Sequence, residues 1–376
     1  MAGIYLHIPF CKTRCIYCDF YTQTTEKLID SFVDALCVEI KNRKIEITEP
    51  VSTIYFGGGT PSRLHKQHFD LIFNAISKHY TIEADAEITL EANPDDLSEA
   101  YIQMLAEQPF NRISIGIQSF NDEELKFLSR RHTAQRAVDA VNNCRKAGFN
   151  NISIDLMYGL PKQTMQIWED NLKHACDLNI QHISAYHLIY EEKTRLYTLL
   201  KAGEISPVNE DLSTDMFQAL IDTLTKNGFI HYEISNFGKE GFFSRHNSSY
   251  WFGTAYIGLG PAAHSYDGNN RSWNVASLNK YISGFKSGNP EIESEHLGTD
   301  QKYNEVVLTG LRTMWGIDLQ KLKTDFGDKY YQYCLNNAQK FIESKLLITE
   351  NGKLKLTQKG IFISDGIMSE LMYIED

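Results

Sequence analysis

The chain has 376 residues, 42% hydrophobic and 23% charged, with a formal net charge of −11. That is enough to bury a large α/β core and add a smaller appendage. So acidic a chain, with no basic stripe, is a poor fit to a nucleic-acid partner. No run approaches the ~20 apolar residues that span a bilayer, and the first residues lack the basic start and cleavage site of a secretory signal. Seven cysteines, an odd number, argue against a disulfide framework. The expected compartment is the cytoplasm.

A first strand is expected over residues 4–8. It leads directly into Cys11, Cys15 and Cys18, a C-x3-C-x2-C run. Thiolates this closely spaced in a loop suit an iron–sulfur cluster. A cubic four-iron cluster would then have three irons covered and one open to chelate a small molecule, as catalytic metal sites keep one position open. The alternatives are a zinc loop or three unrelated thiols, but zinc loops usually come as two separated C-x2-C pairs and no second pair exists here. The spacing resembles the signature of the radical S-adenosylmethionine (SAM) enzymes, where the open iron binds the amino and carboxylate groups of that cofactor. Cys37, Cys144, Cys176 and Cys334 lie in helical patterns and are read as buried hydrophobes.

Further short β-branched or aromatic runs fall at residues 53–56, 87–90, 112–117, 151–157 and 182–187. Between them run helical stripes such as Leu28, Phe32, Leu36 and Ile40, then Phe69, Ile72, Phe73, Ile76 and Tyr80. Asn121 followed by Asp122, Glu123 and Glu124 reads as a capped helix start. Alternation of this kind implies parallel strands with right-handed crossovers. Six units are too few for a closed eight-stranded barrel, so an open partial barrel is expected.

The unusual residues all fall at carboxyl ends of strands, the rim on which such barrels build sites. Gly57, Gly58, Gly59 and Thr60 follow the second strand and would bring bare backbone to a ligand. Glu91 could pair with an ammonium group, and Gln118, Arg130 and Asp155 could fix a carboxylate and ribose hydroxyls. Singly, each of these is an ordinary surface or capping residue. Together on one rim they mark a site.

Five stretches carry a closer resemblance: Tyr5-x-His7-Ile8-Pro9-Phe10-Cys11, Tyr55-Phe56-Gly57-Gly58-Gly59-Thr60-Pro61-Ser62, Glu91-Ala92-Asn93-Pro94, Ser114-x-Gly116-x-Gln118-Ser119-Phe120 and Asp155-Leu156-Met157-Tyr158-Gly159-Leu160-Pro161. They resemble the oxygen-independent coproporphyrinogen III oxidase family, which has an oxidase branch and a heme-chaperone branch, and the likeness runs over essentially the whole chain. It implies an α/β fold, a partial (β/α)6 radical-SAM barrel with a C-terminal winged-helix-like module. It also implies a [4Fe-4S] cluster on Cys11, Cys15 and Cys18. Tyr5, Tyr17, Gly58, Gly59, Thr60, Glu91, Gln118, Arg130 and Asp155 match places that contact SAM in the oxidase, some of them at a second cofactor molecule.

Two departures separate the branches. The oxidase pattern continues to a fourth cysteine two residues after the third, whereas this chain has Cys18-Asp19-Phe20. The stretch His246-Asn247-Ser248-Ser249-Tyr250-Trp251 resembles the H-N-x-x-Y-W motif of the chaperone branch. An imidazole can ligate heme iron and aromatics can cover a porphyrin face, which makes His246 the expected heme ligand; core packing is the alternative for such a cluster. The chaperone reading makes heme and heme-accepting proteins the partners, with coproporphyrinogen oxidation as the alternative activity. It leaves room for a peripheral membrane association and a homodimer. RNA modification suits the cluster but not the acidic balance.

The turn-rich stretch 258–264 is expected to close one edge of the site. Gly, Asn and Ser enrichment over 266–300 reads as a linker, dividing the chain into residues 1–290 and 291–376. Beyond it, helices are expected over 306–314 and 331–347, then a strand over 354–357 and a last helix opening at Thr357. This module is expected to serve as a lid or protein-docking element rather than to bind DNA.

Overall fold

The computed structural model describes residues 2–375. Six strands run parallel in chain order, β1 (Ala2–Ile8), β2 (Val51–Gly58), β3 (Ile82–Ala92), β4 (Arg112–Gln118), β5 (Ile152–Tyr158) and β6 (His182–His187). Helices such as Ile29–Asn42, Lys66–His79, Ala134–Lys146 and Met165–Asp177 form the crossovers. Past β6, the short strands β7 (Ile230–Glu233) and β8 (Asn236–Gly238) attach antiparallel. On the other side β9 (Tyr256–Leu259) pairs parallel with β1, and β10 (His264–Tyr266), β11 (Asn270–Asn274) and β12 (Ile292–His296) follow antiparallel. The sheet therefore has two free ends, β12 and β7, and curls into an open barrel as expected.

Side chains alternate along each strand with the period of a pleated sheet. Ile4 and Leu6, Ile54 and Phe56, Ile88 and Leu90, Ile113 and Ile115, and Ile152, Ile154 and Leu156 belong to the apolar core shared with the helices. The first crossover helix meets them with Phe32, Leu36 and Ile40, the second with Phe69, Ile72 and Ile76. The intervening positions are polar or hydroxylated and still buried: Thr53 and Tyr55, Glu87 and Thr89, Arg112 and Ser114, Ser153, His182 and Ser184. They form the inner face, so the barrel has a polar interior.

The expected linker does not exist. Residues 266–300 hold β11, β12 and the helix Leu278–Ser287, whose Leu278, Tyr281 and Phe285 are buried. Its anchor is Glu39 of the first crossover helix, fully buried and bonded by Arg43, Asn274, Tyr281 and the Gly260 amide. Gly and Asn are frequent there because the segment makes tight turns between short strands, not because it is unstructured. The division expected at 290/291 falls before β12, which still pairs with β11.

The C-terminal module has a separate core built on Tyr303, Val307, Leu311, Leu322, Cys334, Leu347 and Ile367. Helices Thr299–Leu311 and Leu319–Glu343 flank β13 (Ile317–Asp318), and a hairpin of β14 (Leu347–Glu350) and β15 (Lys353–Leu356) precedes the helices Gln358–Ile361 and Ser364–Leu371. The expected helices are shifted and longer here, and the hairpin partner at 347–350 supplies the wing. Gly327 interrupts the long helix at φ 80°, a conformation that favours glycine. Cys144 and Cys334 are buried as expected, while Cys37 and Cys176 are half-buried. Among the described residues no helix is long and apolar enough to cross a membrane.

Candidate cofactor site

A cavity of about 470 Å³ opens at the carboxyl ends of β1 to β6, a size suited to a nucleoside-bearing small molecule. Cys11, Cys15, Tyr17, Cys18, Gly58, Gly59, Thr60, Glu91, Gln118, Arg130 and Asp155 all line it. Two expected residues do not: Tyr5 and His246 lie deeper in the barrel interior.

The cysteine loop is tied down by hydrogen bonds of its own chain. The Cys11 amide donates to the Gln23 carbonyl at 2.9 Å and the Gln23 amide to the Pro9 carbonyl at 2.6 Å, closing the loop base. Arg14 donates through Nε and Nη2 to the Cys18 carbonyl at 3.3 and 3.1 Å. A polar chain then joins two of the thiols. Thr60 Oγ1 donates to Cys11 Sγ at 3.2 Å and accepts from Asn93 Nδ2 at 3.2 Å. Asn93 Oδ1 accepts from Arg130 Nη2 at 2.6 Å, and Arg130 Nη1 reaches Cys15 Sγ at 3.5 Å. Among the described residues no three His, Cys, Asp or Glu side chains gather around one point as ligands of a single ion would. Cys11, Cys15 and Cys18 all face one cavity, and three thiols from a single loop are a donor set suited to an iron–sulfur cluster, each taking a different iron. Burial pushes the Cys18 thiol up to about 11 and raises that of Cys11 despite its Thr60 bond. Arg14 and Arg130 pull against that rise, and iron, when bound, would supply the further positive charge that holds them as thiolates.

Opposite the cysteines lie the acids. Tyr55 donates to Glu91 Oε1 at 2.7 Å. Burial raises Glu91 to about 7, with the Tyr55 bond opposing and Asp155 adding to the rise. Burial likewise raises Asp155 to about 6, opposed by the Arg112 charge and by bonds from Ser184 and Ser114. Gln118 sits at φ 71°, where β4 shifts register against β5, and this turns the end of that strand into the cavity. The glycines have a second reason to be there. A Cβ on Gly58 would stand 2.6 Å from His7 Nδ1, and one on Gly59 would stand 2.9 Å from the Ile8 carbonyl oxygen. Packing against β1 and its loop thus demands them, apart from any ligand.

His246 is 1% exposed. Its Nδ1 lies 2.8 Å from Thr53 Oγ1 and its Nε2 lies 2.8 Å from the Tyr250 hydroxyl. The ring stacks on Tyr55 at 4.9 Å between centroids. Burial and the Arg112 charge lower its pKa to about 3, so it is neutral. With both nitrogens bonded and the ring enclosed, the packing does not offer the imidazole to an iron. The expected heme-ligand role for His246 does not fit this arrangement.

Tyr186 lines the cavity and Arg112 and Ser184 act on its acids without having been singled out, and Asn93 and Ser114, named only as parts of longer stretches, also line it. Arg112 is 1% exposed at the start of β4 and supplies the interior with a positive charge felt by both acids. The signal for it was present: a charged residue at an inner position of an otherwise apolar, alternating strand.

An open six-unit barrel with three cysteines on its first loop defines the radical SAM class. A family model for the radical SAM superfamily matches residues 5–175, and one for the HemN C-terminal domain matches residues 298–363. Over 98% of the chain and 96% of its own length, a protein of Lactococcus lactis named heme chaperone HemW is 35% identical. A HemW of Bacillus subtilis is 34% identical over 94% of the chain and 97% of its length. The structure of coproporphyrinogen III oxidase HemN from Escherichia coli superposes with a TM-score of 0.85 over 99% of the chain and 90% of its own, at 23% identity. The chain belongs to the HemW family of the HemN-like radical SAM proteins. Membership of that class brings a [4Fe-4S] cluster and SAM as cofactors.

Proposed function

We propose that this chain is a cytoplasmic heme chaperone that binds heme and passes it to acceptor proteins. It would carry a [4Fe-4S] cluster on Cys11, Cys15 and Cys18 and SAM across the rim. The observation that carries the reading is likeness to proteins named heme chaperones over nearly the full length of both chains. Likeness to the oxidase at 23% identity speaks for the fold alone. Where the oxidase pattern places its extra thiol, this chain has Phe20, 61% exposed at the cavity mouth. A phenyl ring has no redox or acid chemistry to give a decarboxylation. Reconstituted protein given heme should develop a Soret band and lose it to an apo-acceptor. Given coproporphyrinogen III with SAM and a reductant, it should form no decarboxylated product. Product formation would move the chain to the oxidase branch.

Within the cavity, Glu91 would accept a hydrogen bond from the amino group of SAM, and Asp155, Gln118 and Arg130 would hold its ribose and carboxylate. The cluster supplies the iron that chelates the amino acid end. Glu91→Ala and Asp155→Ala should each weaken SAM binding by about 1–3 kcal/mol, the scale of a lost charge-assisted hydrogen bond, with the cluster still assembled. Acidity adds a second signature. Glu91 titrates near 7 in the folded protein against an ordinary 4.5, so between these values the fold holds a proton the unfolded chain has released. Its contribution to stability is therefore greatest at low pH and lost as pH rises toward 7. SAM binding runs the other way, since the ionised Glu91 accepts from the cofactor's amino group and the protonated acid does so poorly. Affinity should tighten about tenfold from pH 6 to pH 8, and Glu91→Gln should flatten that slope. A flat profile in the wild type would remove Glu91 from the recognition.

A further inference from the structure

The His246–Trp251 stretch touches two things that lie apart in the chain. At one end its first turn is bolted to the barrel interior. The Arg245 and His246 amides donate to the two carboxylate oxygens of buried Glu87, both at 3.0 Å, an acid placed where a helix N-terminus favours one. His246 is then held between Thr53 and Tyr250 and stacks on Tyr55, the residue that bonds Glu91 in the cavity. At the other end, Trp251 lies under the guanidinium of Arg312, 5.6 Å from Cζ to ring centroid. Phe252 packs on Trp315 at 4.7 Å.

Arg312 and Trp315 belong to the C-terminal module, at the exit of its first helix. That exit is stitched to the barrel: the Ile234 amide donates to the Arg312 carbonyl at 3.1 Å and the Met314 amide to the Tyr232 carbonyl at 3.0 Å. Glu233 forms a β-bridge with Thr313 and a 3.6 Å ion pair with Arg312. One seven-residue helix, Arg245–Trp251, thus spans from the floor beneath Glu91 to the root of the module.

We propose that this helix is a strut coupling SAM binding at Glu91 to the docking of the C-terminal module, with His246 a positioning residue for Tyr55 and Glu91 rather than a ligand of iron. The inference rests on the reading of Glu91 as a SAM contact. Its physical basis is rigidity. A short helix fixed at both ends and packed at interior density transmits displacement instead of absorbing it. Movement of Trp251 on Arg312 must rotate His246 on Tyr55, and the Tyr55 hydroxyl carries that change to the carboxylate. Linkage makes the effect reciprocal, so SAM must tighten the module's docking by the factor by which docking tightens SAM.

The test uses cluster-loaded, full-length protein and calorimetric SAM affinity. Trp251→Ala should weaken SAM binding about 5- to 50-fold, the range of ordinary coupling between sites, although Trp251 does not line the cavity. Trp251→Phe, which keeps a ring beneath Arg312, should stay within about twofold. Arg271→Ala cuts a different contact between the sheet and the same module, the 2.6 Å ion pair with Glu305, and should also leave affinity within about twofold. Should Trp251→Ala misfold, amide exchange of wild-type residues 312–316 with and without SAM decides the matter, with added protection expected. Unchanged affinity in Trp251→Ala, an equal loss in Arg271→Ala, or exchange indifferent to SAM would each overturn the strut. Glu91→Ala separates the two failures: if it too leaves SAM affinity intact, the Glu91 reading has failed, and if it alone weakens binding, only the coupling has.

Discussion

Anaerobically reconstituted wild-type protein is expected to hold about four irons per chain, and Cys11→Ser, Cys15→Ser or Cys18→Ser to hold essentially none. A hydroxyl is a poor ligand for iron and far harder to deprotonate than a thiol, and no spare thiol lines the cavity to take its place. The effect should be all or none because a cubic cluster with two protein ligands and two open irons is readily lost to solvent. Cys37→Ser should be silent, as its sulfur is half-buried and donates to the Leu71 carbonyl at 3.7 Å, on the outer side of the sheet. Iron content and the charge-transfer absorption band report the result. A full cluster in Cys15→Ser would overturn the assignment.

Arg112→Met should be the most damaging change away from the cysteines. The guanidinium is a buried positive charge of the barrel interior and opposes the rise of both Glu91 and Asp155. Removing one member of a buried charge group typically costs about 3–5 kcal/mol, because the opposite charges stay behind uncompensated. Acidity should govern the size of the loss. Without Arg112 the two acids titrate still higher, so the folded variant keeps their protons to a higher pH than the unfolded chain does. Its stability deficit should grow as pH rises through that window and shrink below it. Urea unfolding at pH 5.5 and pH 8 would show the difference. An equal deficit at both would mean that Arg112 matters only as packing volume.

The strand–helix alternation and the rim were legible because both follow from local pattern. β-branched runs mark strands, and their carboxyl ends collect the glycines and acids. What escaped was set by distant contacts. Residues 266–300 read as a linker because their Gly, Asn and Ser serve tight turns, and only Glu39, more than 200 residues earlier, reveals that the region is a packed edge of the sheet. His246 stands out in the sequence, but its chemistry depends on whether its nitrogens are free. Thr53 and Tyr250 answer that, and only Tyr250 is near in sequence. Arg112 needed the inner face of the barrel to be known before a lone charge in a strand could gain meaning.

The position of β1 has a bearing on synthesis. This strand leads into the cysteine loop, is made before either of its neighbours, and ends up flanked by β2 on one side and β9 on the other. At roughly 5–20 residues per second, the ribosome needs on the order of 10–40 s to travel from the end of β2 to β9. Throughout that interval β1 offers an unpaired edge beside an open cysteine loop, inviting wrong partners. The same interval is the time when the loop is easiest for a cluster donor to reach. Delivery of iron and sulfur to the nascent chain would then compete directly with misassembly at that edge, and iron-starved cells would accumulate aggregated as well as empty protein.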